Sequence, residues 1–193
     1  MKQHDAYCEQ CLADLHKKLA VIQRDQMNPL LQAVASYELV KEVINTLTQG
    51  EDAQRTPHFN KVMYPQFLSL LIYYRHVVVI LSGEPLGTRK QVVYLKAIRK
   101  KLEVFCAEHR DLIQYCRSGS TERDDVYFGY KANQDLLPEE SAVYVWSKYL
   151  AAQKLNEWLT AEIAIRKRAD DPSDLIWTGP KTNLIELLYA LHA

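Results

Sequence analysis

Residues 88–116 read TRKQVVYLKAIRKKLEVFCAEHRDLIQYC. Within them Leu95, Ile98, Leu102, Phe105, His109, Leu112 and Cys116 recur at alternating steps of three and four. That is the repeat of one face of an α-helix, not the alternation that a half-buried strand requires. The spacing predicts a single helix from Thr88 to about Cys116, roughly 40 Å long at about 1.5 Å per residue and packed lengthwise on its neighbours. Thr88 with Gln91 three residues on has the pattern of a capping box at its start.

The same period extends in both directions. Cys8, Leu12, Leu15, Leu19 and Ile22 form an apolar stripe over residues 3–27, which Asn28-Pro29 ends. Asn28 suits an N-cap and Pro29 the first turn of a second helix, residues 29–48. A polar loop follows, and then residues 58–82, apolar on all sides as a helix at the centre of a bundle would be. Pro65 either kinks that helix or marks its real start. Its run Val77-Val78-Val79-Ile80-Leu81 is β-prone by composition, so a buried strand is the alternative there. Residues 117–138 look irregular. A fifth helix, residues 139–168, has Glu139 and Glu140 at its start and Arg166, Lys167 and Arg168 at its end, each sign suiting the helix dipole. Residues 170–176 form the best linker, and residues 177–193 lead into another amphipathic helix carrying Leu184, Leu188 and Leu191. The fold class is therefore all-α: a helical domain of about five helices over residues 1–169, a linker, and the start of a second domain at 177–193.

Composition narrows the function without naming it. The chain has 193 residues, 24 basic and 24 acidic, and a formal net charge of zero. A chain that grips nucleic acid along its whole length is usually basic. The N-terminus has no secretory pattern, and the apolar stretch 67–81 is interrupted by Arg75 and His76. This predicts a soluble, cytoplasmic protein with reduced cysteines.

Candidate sites are few. Cys8, Cys11, Cys106 and His109 have zinc-ligand chemistry, and they converge only if the first and fourth helices pack together. Tight knuckles are absent around them, so core packing is the preferred reading. Gly179-Pro180-Lys181-Thr182 lacks the glycine spacing of a phosphate loop and reads as a helix start. Asp124-Asp125 sits where a loop pair could bind a cation or transfer protons. The six histidines are scattered, and nothing in the chain demands a cofactor or orders a nucleophile, base and acid as an enzyme would. The bases are uneven, however. Residues 89–101 contain six and no acid, whereas residues 102–193 carry 15 acids and 10 bases. That basic stretch suits a solvated outer face, an acidic partner or a DNA backbone.

Several stretches resemble the RteC family, regulators carried by conjugative transposons of Bacteroides-type bacteria. They are Phe59-Asn60-Lys61-Val62 with Tyr73-Tyr74, residues 115–121 (YCRSGST), and Asp125-Val126-Tyr127-Phe128. The most specific is residues 177–193, WTGPKTNLIELLYALHA. Pro180 stands where the family usually has Ser, and the loop after Phe128 looks shorter than in relatives. The resemblance implies a transcriptional activator of an excision operon, acting downstream of tetracycline sensing and binding promoter DNA. It also implies a winged-helix-like C-terminal domain, of which residues 177–193 would supply the first helix, with the base-reading part lying beyond residue 193. Lys181 and Thr182 are then candidates for DNA-backbone contact, and residues 1–193 alone would bind DNA weakly. The alternative is a helical protein-interaction module, partnering another protein or a second copy of itself.

Overall fold

The computed structural model describes residues 2–48, 56–129 and 139–169. Every regular element among them is helical, as the 3–4 spacing predicts: α1 (Lys2–Asp25), α2 (Pro29–Thr48), a π-helical turn π1 (Phe59–Met63), α3 (Tyr64–Ser82), α4 (Thr88–Glu108), α5 (Arg110–Arg117), α6 (Asp124–Phe128) and α7 (Ala142–Ala169). The segment from 170 onward, with the linker and the second domain read from the sequence, lies outside the described residues.

Local chemistry explains several boundaries. Asn28 caps α2 through its Oδ1, which accepts from the backbone N–H groups of Leu30 (2.9 Å) and Leu31 (3.1 Å). Pro65 sits in the first turn of α3, so it marks a start rather than a kink. The Thr88–Gln91 capping box is not formed. The cap is Gly87 at φ 92°, a conformation open to glycine, and Thr88 is already inside α4. The β-prone run at 77–81 is helical. Val77 and Ile80 bury three apart while Val79 faces out, so packing overrides propensity.

The long fourth helix is two. His109, at φ −108° and ψ 23°, leaves the helical region and separates α4 from α5. The irregular stretch after Arg117 also contains more order than its composition suggests, since 124–128 form α6. With these two changes the described residues hold seven α-helices rather than about five.

Two helices carry the architecture. α3 packs on α2 along one side and on α7 along another, and α7 also supports α4, α5 and α6. α7 approaches its neighbours through small buried residues, Ala142, Ser147, Ala151 and Ala152, with Leu155, Leu159 and Ile163 filling the space further on. Three apolar clusters result. The first joins Leu15 and Leu19 of α1, Val40 and Ile44 of α2, and Phe67 and Leu70 of α3. The second joins Val77 and Ile80 of α3, Leu95 and Leu102 of α4, and Leu155 and Leu159 of α7. The third, smaller, gathers Cys116, Phe128, Ala142 and Val143. Each fully buried side chain of this kind contributes about 1.5–3 kcal/mol. By length and apolar composition, Phe59–Ser82 has what a membrane-crossing helix needs, yet here that helix lies between α2 and α7.

Candidate functional site

A lysine inside the most apolar helix of the chain needs a partner, because an isolated buried charge is costly. Lys61 is that lysine. It is buried in π1, and the wider π turn aims it at the segment between α5 and α6. Its ammonium lies 2.6 Å from Asp124 Oδ1 and donates a short hydrogen bond to the Ser120 carbonyl. It also sits over the rings of Tyr115 (4.6 Å) and Phe128 (5.9 Å). The Tyr115 hydroxyl donates to the same Asp124 oxygen (2.8 Å) and accepts from the Arg123 backbone N–H (2.9 Å). Next to Lys61, Asn60 Nδ2 donates to the Phe128 carbonyl at 2.7 Å. Gly119, at φ 71°, makes the turn that brings the Ser120 carbonyl round to the ammonium.

Residues 118–129 are thus held to the bundle by side chains of Asn60, Lys61 and Tyr115 and by the Phe128 ring. This arrangement answers the question raised by Asp124-Asp125. Asp124 is committed to Lys61 and Tyr115, and Asp125 is exposed in the first turn of α6. Asp124 is a structural fastening, and Asp125 stands exposed beside it. In the sequence Lys61, Tyr115 and residues 125–128 stand out separately, with no local signal that pairs them. The available signal was a lysine flanked by Asn60 and Val62 in an otherwise apolar stretch.

Beside this junction a groove of about 870 Å³ runs between α1, α3 and α7. His16, His58, Gln66, Ser69, Lys154 and Glu157 line it together with Lys61 and Asp124. Burial, reinforced by the Lys154 charge, holds the His16 imidazole below its usual range, and burial likewise lowers the Lys154 ammonium. Both side chains nonetheless reach solvent at the groove mouth.

The proposed metal ligands are kept apart. Cys8 is buried in the cluster shared by α1, α2 and α3, whereas Cys106 packs against the α4–α7 cluster and His109 lies 4.7 Å from the Phe105 ring. α1 rests on α2 and π1 while α4 rests on α7, so the convergence that a zinc site requires does not occur. Cys116 is buried in the third cluster, and burial pushes its thiol up to about 12. Only the thiolate is nucleophilic, so at pH 8 Cys116 is expected to resist iodoacetamide in the native protein and to react once the chain is unfolded in urea. Peptide mass spectrometry would show this, and rapid native labelling would contradict the burial.

Lys181 and Thr182 lie outside the described residues. The residues of the Lys61 junction, by contrast, all fall in one matched segment. A family model described as RteC protein matches residues 58–193, well over half of the chain. No curated protein and no solved structure matches it. The matched range takes in Asn60, Lys61, Tyr115, Asp124 and Phe128, which lock the 118–129 segment, as well as the run 177–193, and it covers most of the chain: the chain belongs to the RteC family.

Proposed function

We propose that this protein is a transcriptional regulator that binds promoter DNA and activates an excision operon of a mobile element. The observation that carries the reading is the family match over residues 58–193. In the helical body the Lys61–Asp124 ion pair serves cohesion. In this reading residues 1–169 form the body and residues 177–193 begin the DNA-binding module, with Lys181 and Thr182 on backbone phosphate. Gel-shift of the purified protein with DNA upstream of the excision operon tests it. A shifted band that survives excess unrelated duplex supports the proposal, and binding that is absent or indifferent to sequence overturns it.

A second reading is a helical protein-interaction module, and the groove between α1, α3 and α7 favours it. It is an open groove that offers both apolar wall and polar side chains from separate helices. Stable capture of a defined partner without DNA, lost on Gln66→Trp in the groove wall, would support this reading over the first.

A further inference from the structure

We infer that the outer face of α4 is a second contact surface for duplex nucleic acid, one that holds the phosphate backbone without reading sequence. The inference rests on the regulator reading above and adds to it a surface within the helical body.

The geometry begins with α4 itself. Leu95 and Leu102 are its buried positions, facing α7. The opposite side carries Arg89, Lys96 and Lys100, at steps of seven and four that keep them in line along the helix. Lys90 and Lys101 form a second line about a quarter-turn away. All five are exposed. Arg99, half-buried, is neutralised by Glu103 at 3.7 Å, but Lys90, Lys96, Lys100 and Lys101 make no ion pair among the described residues. No acid lies between residues 89 and 101. The end of α7 extends the patch. Arg166 Nη2 lies 2.6 Å from Glu84, which places the last turn of α7 against the turn that precedes α4, and Lys167 and Arg168 are exposed on that last turn. Charge is therefore segregated on a chain whose total is zero.

The kind of partner follows from what else the face presents. Protein interfaces favour aromatic residues and are poor in lysine, and single strands are held by stacking on exposed aromatic rings. α4 exposes no aromatic side chain, and its large exposed apolar residues are Val93 and Val104. Interfaces with duplex DNA are strongly positive and wet. From Lys90 to Lys101 the helix rises about 16 Å, which matches about five base-pair steps at about 3.4 Å each.

The test uses the whole chain and a duplex of arbitrary sequence, followed by fluorescence anisotropy from about 50 to about 200 mM salt. The variant Lys96→Gln/Lys100→Gln/Lys101→Gln is compared with Lys17→Gln/Lys18→Gln/Lys41→Gln, which changes net charge equally on α1 and α2. Both sets lie on exposed positions. The α4 variant is expected to lose about 2.7 from the slope of log K against log salt, at about 0.9 per phosphate contact, and at least about tenfold in affinity at low salt. The control variant is expected to keep the wild-type slope. Equal slopes in all three proteins overturn the inference, as does displacement of the duplex by polyglutamate at equal charge concentration, which would indicate an acidic protein partner. Running the excision promoter in parallel separates the two proposals. A wild-type protein without sequence preference fails the regulator reading, and an unchanged α4 variant fails the surface assignment alone.

Discussion

Lys61→Ala is expected to destabilise the protein by about 3–5 kcal/mol, the usual consequence of removing one partner from a buried ion pair. The pair is close to that limit, since the Lys61 and Asp124 side chains are only 9% and 16% exposed. The substitution leaves the Asp124 carboxylate facing Tyr115 alone and the Ser120 carbonyl without its donor. At roughly 2–4 °C per kcal/mol for a chain of this length, the midpoint should fall by about 6–20 °C. Urea denaturation followed by circular dichroism reads the loss. Lys61→Met/Asp124→Leu removes both charges and is expected to recover at least half of it, because an apolar pair of similar size carries no desolvation penalty. A loss below about 1 kcal/mol for Lys61→Ala would show that the ammonium does not hold the 118–129 segment.

Phe128→Ala is the second large effect, about 3–5 kcal/mol. Phe128 is fully buried beside Cys116, Ala142 and Val143. Removing its ring opens a cavity under the Lys61 ammonium and leaves the α6 end held by Asn60 through the backbone carbonyl of residue 128, which alanine retains. The two substitutions act on one fastening. Their combined cost should fall short of the sum by about 0.5–3 kcal/mol, because the first already releases the segment that the second would loosen. Strict additivity in the double variant would show that ring and ion pair hold independent parts of the structure.

What was legible in the sequence is what repeats locally. The steps of three and four around Leu95 and Leu102 identify a helix, and Asn28-Pro29 marks a helix start by chemistry that needs only neighbouring residues. The break at His109 was hidden because the apolar register continues through Leu112 and Cys116, while those side chains turn to a different cluster from Leu102. At the start of α4, a glycine in a left-handed conformation displaced the capping role that the Thr88–Gln91 pattern predicts. The Lys61–Asp124 pair joins residues 63 positions apart, and no periodicity reports a pairing of that separation. The stretches that carry the family resemblance include Lys61 and flank Asp124, and only the fold shows that the two meet. The DNA-contact candidates Lys181 and Thr182 rest on sequence alone.

The ion pairs of Arg166 with Glu84 and Glu162 carry one more consequence. They fix the last turn of α7 beside the start of α4, so whatever follows Ala169 sets out from the edge of the basic face. If the proposed α4 surface and the proposed contacts of Lys181 and Thr182 hold one duplex, they are not independent, because the second engages at an effective concentration in the millimolar range. Arg166→Gln/Glu84→Gln removes one charge of each sign and loosens this anchor at constant net charge; if the two proposed contacts share one duplex, it is expected to reduce the avidity of the pair.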